Sequence, residues 1–324
     1  MRFIRFIALW LILCVLAAAV LEYAYRNYQT QAYQLFNKYY RKATTVEKLY
    51  IGNSHVGVFG ALYPEQAAEV GNMSLGGQDI YRMCTVIKTV VPKSPKLKRI
   101  YMGLDYDLLG YNQTKNGEEY LDRAYFPYTG EMYNDNFTNR LMSKSNFFRA
   151  NRDMAYLFSR NKAPKEINFI PVATVSTPKD TAVKITTTDS GITPAATTLP
   201  AAAHKKMDPF MCSKRAKEHT LLKYKEKYIA ENLRYLLSII EICKKHGVEL
   251  VFFCPPKTTC YMAGSDKTNI ENAKHTIDSF TVANHATYLD FYGSPLFNDD
   301  MFVDFDHLNP AGTAILNDTL TAFK

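Results

Sequence analysis

The sequence lacks the patterns on which metal-binding, disulfide-stapled and nucleic-acid-binding proteins depend. It has six cysteines but no CxxC pair, and their spacing fits no framework, which excludes an ordinary zinc site. It has a net charge of +8, but the Lys and Arg residues are scattered among Glu and Asp and form no basic run interleaved with aromatic residues. There is no internal repeat. We therefore expect no metal, no organic cofactor and no nucleic-acid partner.

Charge is also missing from one long apolar run near the N-terminus. Residues 6–21 (FIALWLILCVLAAAVL) carry no charged side chain, and Arg2 and Arg5 precede them. As a helix this run spans about 24 Å, close to the thickness of a hydrocarbon core. We predict that residues 1–21 are a single-pass membrane anchor, which we favour over a cleaved signal peptide ending near Ala17–Ala19. The basic residues before the run predict that the rest of the chain faces the periplasm or another extracytoplasmic compartment.

The remaining chain alternates between short apolar strands and amphipathic helices. After a tyrosine-rich stalk over residues 22–45, we predict an α/β domain over 46–324. Its strands are expected at 48–51, 68–72, 98–102, 248–253 (VELVFF) and 287–291, and its helices at about 79–90, 229–246, 267–280 and 310–322. In the last helix Asn309 is the expected N-cap and Pro310 the first residue. Such alternation indicates a parallel sheet with helices on both faces.

The βα rhythm stops between residues 110 and 218. The first part of this region is aromatic, whereas residues 173–206 are rich in Thr, Ala and Pro and have few large apolar side chains. The second part cannot bury enough surface to offset its ordering entropy. We predict an insertion in the α/β domain that contains a flexible loop at 173–206.

The cysteines and histidines of the domain divide into expected core and surface residues. Cys84 and Cys243 lie on apolar helix faces and are expected in the core, and Cys254 and Cys260 are close enough in sequence to form a disulfide. Five histidines are expected at the surface: His204, His219, His246, His275 and His285.

Several polar motifs fall where strands of the predicted sheet end, which is where open parallel sheets bind ligands. Ser54 follows the first strand, NMSLGGQD (72–79) the second, GLDYD (103–107) the third, and DFDHLNPAG (304–312) precedes the last helix. Ser54 either caps a helix or is a nucleophile. A serine nucleophile needs a base and a group that orients the base. We expect His307 to be that base and Asp304 to orient it, because a carboxylate three residues upstream can reach Nδ1 in a tight turn.

Two neighbouring residues are weaker candidates for those roles. Asp306 is expected to be poorly placed to orient the adjacent His307. His55 is not expected to be the base, because adjacent residues project in different directions and His55 adjoins Ser54.

These motifs resemble the conserved blocks of the SGNH (GDSL-like) hydrolase superfamily. GNSH resembles the first block and puts Ser54 at the nucleophile position. NMSLGG resembles the second block and puts Gly77 at the oxyanion-hole glycine, with the Ser54 amide as another donor. DFDHLN matches the terminal block and assigns Asp304 and His307. The resemblance covers about 45–109 and 225–324, and it implies a flavodoxin-like three-layer sandwich with a five-stranded parallel sheet.

The chain departs from the family at the third block. GLDY puts Asp105 where the family has an asparagine that donates to the oxyanion, and an ionised aspartate cannot donate. Asp105 belongs to the oxyanion hole only if its carboxyl is protonated. The candidate substrate-binding residues are His55, as a pocket wall or else a packed ring, and Asn72, which is alternatively a cap for backbone amides of its loop.

The resemblance also implies a function. Membrane-anchored relatives resemble proteins that add or remove acyl groups, often acetyl, on cell-surface polysaccharides, and others resemble the teichoic-acid D-alanylation proteins. We therefore expect a serine esterase or O-acyltransferase of the cell envelope that acts on acylated glycans, with a membrane acyltransferase as a possible partner. The alternatives are a catalytically impaired binding or assembly protein with the same fold and a lipid esterase.

Overall fold

The fold is known from a computed structural model, which describes residues 2–61, 68–151, 154–158 and 208–323. The strands are β1 (Lys48–Ile51), β2 (Val70–Asn72), β3 (Arg99–Gly103), β4 (Glu249–Cys254) and β5 (Thr287–Asp290). The helices are α1 (Arg2–Tyr25), α2 (Gln31–Tyr40), α3 (Ser54–Gly57), α4 (Ile80–Val90), α5 (Glu119–Thr129), α6 (Phe137–Lys144), α7 (Asn146–Arg149), α8 (Met154–Phe158), α9 (Pro209–Lys217), α10 (Ile229–Lys245), α11 (Thr259–Gly264), α12 (Lys267–Ala283) and α13 (Pro310–Ala322).

The five strands form one parallel sheet in the order β2-β1-β3-β4-β5. Leu49 of β1 pairs with Ile100 of β3, and Ile100 in turn pairs with Leu250 of β4. This is the flavodoxin-like order, in which the direction of strand addition reverses between β1 and β3 and leaves a crevice at their carboxyl ends. The predicted fold class is confirmed.

Alternate residues of each strand pack on opposite faces of the sheet. Leu49 and Ile51 of β1 face a core shared with α2, α4, α10 and α12. Tyr50 faces the other core, which α13 completes with Leu316 and Leu320. This two-residue period places a helical layer on each side of the sheet.

The segment predicted as a stalk contributes to the core. Within residues 22–45, α2 buries Leu35, Phe36 and Tyr39 in the cluster that also contains Leu49. These positions recur at helical spacing, so α2 has an apolar face that requires a partner. The predicted stalk over 22–45 is therefore also part of the core at α2, because this face packs against the domain.

Helix α1 precedes α2 and stands apart from the core. It has 24 residues, and a stretch of 18 with mean hydropathy 2.7 is exposed throughout, so it is long and apolar enough to span a membrane. Its last turns contact α7: the Glu22 carboxylate accepts hydrogen bonds from the backbone N–H of Asn146 (2.8 Å) and from Ser145, and Tyr25 packs edge-on against Phe147.

The predicted insertion is described at both of its ends. Its first part forms α5 to α8, and α5 packs Ala124 and Tyr125 into the core beside α2 and α4. Its start meets the chain that follows its end, because the backbone N–H of Lys225 donates to the Gly110 carbonyl (2.8 Å). The Tyr224 ring covers Gly110 so closely that a Cβ there would lie 2.5 Å from it. The flexible loop predicted at 173–206 lies outside the described residues.

One disulfide is present in the described part of the chain, between Cys212 on α9 and Cys260 on α11. The pairing of Cys254 with Cys260 that sequence proximity suggested is therefore wrong, because Cys254 ends β4 and is buried as a free thiol. Cys84 and Cys243 are buried in the core as expected.

Candidate active site

The first element of the site is the turn from β1 into α3. Asn53 caps α3, because its side-chain oxygen accepts from the His55 N–H (3.0 Å). Val56 packs against the strand ends so tightly that a Cβ at Gly52 or Gly103 would lie 2.3 or 2.2 Å from its methyl group. Glycine is required at both strand ends, and this close packing fixes Ser54 at the first position of α3 beside the β1/β3 crevice.

The second element is the loop that leads into α13. It is closed by an antiparallel bridge between Phe302 and Leu308 and by the hydrogen bond from the Val303 N–H to the His307 carbonyl (2.9 Å). Asp304 Oδ1 accepts from the His307 N–H (2.9 Å). Both Asp304 oxygens also lie 2.9 Å from His307 Nδ1. This turn is the one that the three-residue spacing predicted, and it fixes the orientation of the imidazole.

The two elements meet over the crevice. His307 Nε2 lies 2.8 Å from Ser54 Oγ, across 253 positions of sequence. With its Nδ1–H facing Asp304, the neutral imidazole offers Nε2 as an acceptor for the serine proton. Burial opposes ionisation of Asp304, but its hydrogen bonds to His307 and to the Asp306 N–H, together with the charge attraction of His307, outweigh burial and lower the pKa of this carboxyl. The three groups thus have the geometry of an activated serine.

Asp306 is better placed than the sequence suggested. Its side chain is fully buried, and Oδ1 lies 3.2 Å from His307 Nδ1, on the same side of the ring as Asp304. Arg215 on α9 holds it, with Nε 3.0 Å from both carboxylate oxygens. The loop turns sharply between Phe302 and Leu308, which lets adjacent residues 306 and 307 face each other.

The contacts of Asp105 do not fit a donor in the oxyanion hole. The carboxylate is buried, accepts from Asn53 Nδ2 (2.9 Å) and lies 2.6 Å from Lys257 Nζ. Burial opposes its charge, but His55 and Lys257 outweigh burial and hold the pKa of Asp105 far below its usual value. Asp105 is therefore an ionised acceptor, and the structure offers no support for the protonated carboxyl that an oxyanion donor would require.

His55 is a packed ring and not a pocket wall. It is only 4% exposed, and its Nδ1 lies 3.0 Å from Asp105 Oδ2 while its Nε2 lies 3.2 Å from Asp306 Oδ2. Burial, and the Lys257 ammonium 2.8 Å from Nδ1, oppose protonation of His55. The Asp105 and Asp306 carboxylates outweigh them and raise the pKa of His55 to about 9. A substrate cannot reach this ring, so the substrate-binding assignment of His55 is wrong.

The loop after β2 carries the other predicted residues. Asn72 holds this loop: its side-chain oxygen accepts from the Ser74 N–H (2.9 Å) and its amide donates to the Val56 carbonyl (3.3 Å). These contacts are those of the capping alternative and give Asn72 no free polar atom for a substrate. Gly77 lies on the exposed part of the loop in the left-handed conformation (φ 68°), which disfavours any side chain.

Three residues of the site were not predicted from the sequence. Lys257 follows β4 and is buried beside Asp105, Arg215 reaches Asp306 from α9, and His219 lies 3.7 Å from Asp306. His219 was expected at the surface. Lys257 had a detectable signal, since it lies just past a strand end, whereas no pattern marked Arg215. His246, His275 and His285 are exposed, and His204 lies outside the described residues.

One group of ligand-type atoms in the described chain is compact enough to consider for a metal ion. These atoms, from His55, Asp306 and His307, lie within 4.8 Å of one another. Each is already paired, and Lys257 and Arg215 bring two cations against the same cluster. Ion pairing therefore accounts for the cluster, because a divalent ion would face positive charge on both sides.

Comparisons with known proteins give distant structural likeness only. No protein-family model and no curated protein matches the chain. It is similar in structure to a Bacteroides fragilis NCTC 9343 protein classed provisionally as an acylhydrolase, with 9% identity, TM-score 0.41, and coverage of 90% of this chain and 95% of that chain. It is also similar to a GDSL-like lipase of Bacteroides thetaiotaomicron VPI-5482, with 8% identity, TM-score 0.42, and coverage of 89% and 96%. Neither superposition is close enough to carry a conclusion about activity.

Proposed function

We propose that the protein is a serine esterase or O-acyltransferase of the SGNH type, with Ser54, His307 and Asp304 as its catalytic residues. The observation that carries this proposal is the continuous chain of contacts from Ser54 Oγ to His307 Nε2 (2.8 Å) and from His307 Nδ1 to Asp304 (2.9 Å). The chain lies at the β1/β3 crevice, where sheets of this order bind their ligands.

We infer a two-step acyl transfer from these contacts. Ser54 Oγ attacks an ester carbonyl carbon and passes its proton to His307 Nε2, while Asp304 stabilises the imidazolium that forms. The imidazolium then gives this proton to the leaving alcohol, which departs as the C–O bond breaks and leaves an acyl-serine. Water or a sugar hydroxyl, deprotonated by His307, attacks the acyl-serine and regenerates Ser54. General acid–base catalysis of this kind contributes about 10²- to 10⁴-fold.

Backbone amides supply the oxyanion hole in this proposal. The Ser54 N–H at the start of α3 and the Gly77 N–H are the donors, and Asp105 takes no part. One oxyanion donor is worth about 10²- to 10³-fold in kcat. The enzyme is therefore expected to be slower than one that also has a side-chain amide at position 105.

The substrate and location follow from the chain outside the sheet. We infer that α1 anchors the protein as a single-pass helix and that the domain faces the extracytoplasmic side, where the Cys212–Cys260 disulfide would form and persist. The contacts of Glu22 and Tyr25 with α7 hold the domain close to the end of α1. An acylated cell-surface glycan is the substrate class that fits this location, with a membrane acyltransferase as a candidate partner.

The nucleophile is tested with a fluorophosphonate probe on the full-length protein in detergent. We expect stoichiometric labelling of the wild type at Ser54, none in Ser54→Ala, and labelling slowed at least 100-fold in His307→Ala. Ser294→Ala, in the loop after β5, is the matched control and should label as the wild type does. Absence of labelling in folded wild-type protein would refute the enzymatic proposal.

The reaction type and acyl group are tested with defined esters. Release of free acetate from acetylated sugars indicates a hydrolase, and recovery of the acetyl group on a glycan acceptor indicates a transferase. Faster turnover of long-chain than of acetyl esters would favour a lipid esterase.

One observation favours a second candidate, a binding or assembly protein that has lost the chemistry. Asp105 stands where the resemblance implies an amide donor, and it is ionised and paired with Lys257. This candidate predicts a folded protein that binds acylated glycan without labelling at Ser54.

A further inference from the structure

A row of buried charged groups lies directly behind the proposed catalytic histidine. Lys257 Nζ lies 2.6 Å from Asp105 Oδ1, and Asp105 Oδ2 lies 3.0 Å from His55 Nδ1. His55 Nε2 lies 3.2 Å from Asp306 Oδ2, and Asp306 Oδ1 lies 3.2 Å from His307 Nδ1. Each of these residues is at most 6% exposed. The row therefore runs without a gap from a lysine after β4 to the imidazole that faces Ser54.

The row brings together four separate chain segments. Asp105 follows β3, Lys257 follows β4, His55 belongs to α3, and Asp306 belongs to the loop before α13. Burying ionised groups costs free energy, and a buried ion pair can often be replaced by apolar residues without loss of stability. Stability alone therefore does not explain why charges line up behind the reacting imidazole.

We propose that His55 is a positioning residue that acts on His307 through Asp306. Its two ring nitrogens bridge the Asp105 and Asp306 carboxylates, so His55 holds Asp306 against Nδ1 of His307. The inference rests on the proposed function, because His307 is the base of that reaction.

Asp306 is shared between the two histidines in a way that suits this role. One carboxylate oxygen faces His55 and the other faces His307, while Arg215 bonds both. Asp304, on the same side of His307, has a side chain that is 43% exposed, whereas the Asp306 side chain is fully buried. Solvent screens an exposed charge far more than a buried one. Asp306 therefore adds a buried, weakly screened negative charge on the Nδ1 side of His307.

The same geometry explains the aspartate at position 105. Oδ1 of Asp105 faces Lys257, and Oδ2 accepts from Asn53 and lies against His55. An asparagine has one acceptor oxygen and no charge, so it would leave the Lys257 ammonium buried without its counter-ion. Asp105 is therefore the counter-ion of Lys257 and His55 and not a donor of the oxyanion hole.

Protonation of His55 is what allows it to donate to both carboxylates. Lys257 Nζ lies 2.8 Å from His55 Nδ1, and with the ring protonated its charge is paired instead with Asp105 Oδ1, 2.6 Å away. The groups that face it or its partners are Asp105 and Asp107 after β3, Lys257 after β4, Arg215 and His219 from α9 and the turn that follows, and Asp304, Asp306 and His307 from the last loop. Burial and Lys257 lower the pKa of His55, but the Asp105 and Asp306 carboxylates outweigh them and raise it to about 9. Above that pH the ring keeps one N–H and loses a bond to one carboxylate, so we expect activity to decline.

The test compares kcat, KM and pH profiles of the full-length protein on an acetyl ester. His55→Gln should lower kcat on the order of 10- to 100-fold, by analogy with the loss seen when an outer partner of a metal-ligating histidine is removed. KM should stay within about twofold, because His55 does not reach the substrate. The decline near pH 9 should be lost in His55→Gln. It should move to lower pH in Asp105→Asn, where His55 has lost a counter-ion. His275→Gln, on the exposed face of α12, should match the wild type.

Several outcomes would overturn the inference while leaving the serine hydrolase intact. One is a His55→Gln protein with wild-type kcat and an unchanged decline near pH 9. Another is a parallel loss of kcat and folded fraction with no change in the pH profile, which a purely structural role predicts. If His55→Gln does not fold, Asp105→Asn carries the test through the shift of its pH profile.

A readout that needs no turnover separates this inference from the proposed function. The ring ¹⁵N chemical shifts of His307, measured by NMR of ¹⁵N-histidine-labelled protein, should shift in His55→Gln and not in His275→Gln. If this shift occurs in a protein that no fluorophosphonate labels, the proposed enzymatic activity is refuted but the coupling of His55 to His307 is supported. An unshifted His307 in a protein that labels normally would refute the coupling alone.

Discussion

Removal of the Cys212–Cys260 disulfide should destabilise the protein severely. The bond closes a loop between residues separated by 48 positions, and this loop contains α10 and β4. By the chain-entropy relation, closing about 49 residues removes about 14 cal/mol/K from the unfolded chain, or about 4 kcal/mol at 25 °C. Domains are commonly stable by about 5–15 kcal/mol, so this is a large share. For a domain of this size we expect the Tm to fall by roughly 10 °C.

The same change should also disturb the site. The disulfide joins α9 to α11, and Arg215 lies one helical turn after Cys212, where it bonds Asp306. On the other side, the Thr258 hydroxyl that precedes α11 donates to the Phe305 carbonyl (2.6 Å). Both helices therefore hold the loop that carries His307. We expect Cys212→Ala to slow fluorophosphonate labelling below its Tm as well as to lower the Tm.

The assay is thermal unfolding followed by circular dichroism, with and without reductant, on the full-length protein. Cys212→Ala, Cys260→Ala and the double variant should share one lowered Tm that reductant no longer changes. Cys254→Ala is the matched control, because it removes a buried thiol and leaves the disulfide, so its Tm should still fall on reduction. A Cys212→Ala protein within about 2 °C of the wild type, less than 1 kcal/mol, would refute the loop-closure reasoning. Loss of the reductant effect in Cys254→Ala would refute the pairing itself.

Three further predictions concern packing, capping and pH. Gly52→Ala puts a Cβ against Val56 and should cost about 1–3 kcal/mol of unfolding free energy, measured in urea; Gly76→Ala, where an added Cβ has nothing within 4 Å, is the matched control, and equal losses in the two variants would contradict the clash. Asn309→Ala removes the cap that accepts from the Gly312 N–H (3.0 Å) and should cost about 1 kcal/mol, measured by the urea midpoint; an unchanged midpoint would contradict the cap. Burial, aided by Arg215, lowers the pKa of His219 to about 3, so this group favours folding above pH 6.5 and loses that contribution as the pH falls. Between pH 7 and pH 5 the wild type should lose about 2 kcal/mol more than His219→Gln, and equal losses would contradict a neutral buried ring.

The sequence predicted the sheet well because its signals are local. Apolar runs and helix caps determine strands and helices within a few neighbouring residues, and the last helix begins at Pro310 with Asn309 as its cap, as predicted. The meeting of Ser54 with His307 was also predicted, since carboxyl ends of parallel strands share one edge.

What the sequence did not reveal depends on contacts between distant segments. Cys254 and Cys260 are neighbours in sequence, but the turn into α11 directs Cys260 toward Cys212 on α9. Arg215 lies on a short helix near the end of the insertion, and no spacing indicates that it reaches Asp306. The burial of His55 follows from carboxylates contributed by two other segments, so its own neighbours in the sequence carry no trace of it.

The contacts of Gly110 with Tyr224 and Lys225 have a consequence for how the length of the insertion can change. The chain leaves the domain after β3 at Gly110 and comes back beside it at Lys225, just before α10. A change of length between these two residues therefore need not move β3 relative to β4. Doubling a flexible loop costs only about 0.6 kcal/mol in closure entropy. Such changes are compatible with the site only where they leave α5 and α9 in place, because α5 packs in the core and α9 supports the loop of His307 through Arg215 and the Cys212–Cys260 disulfide.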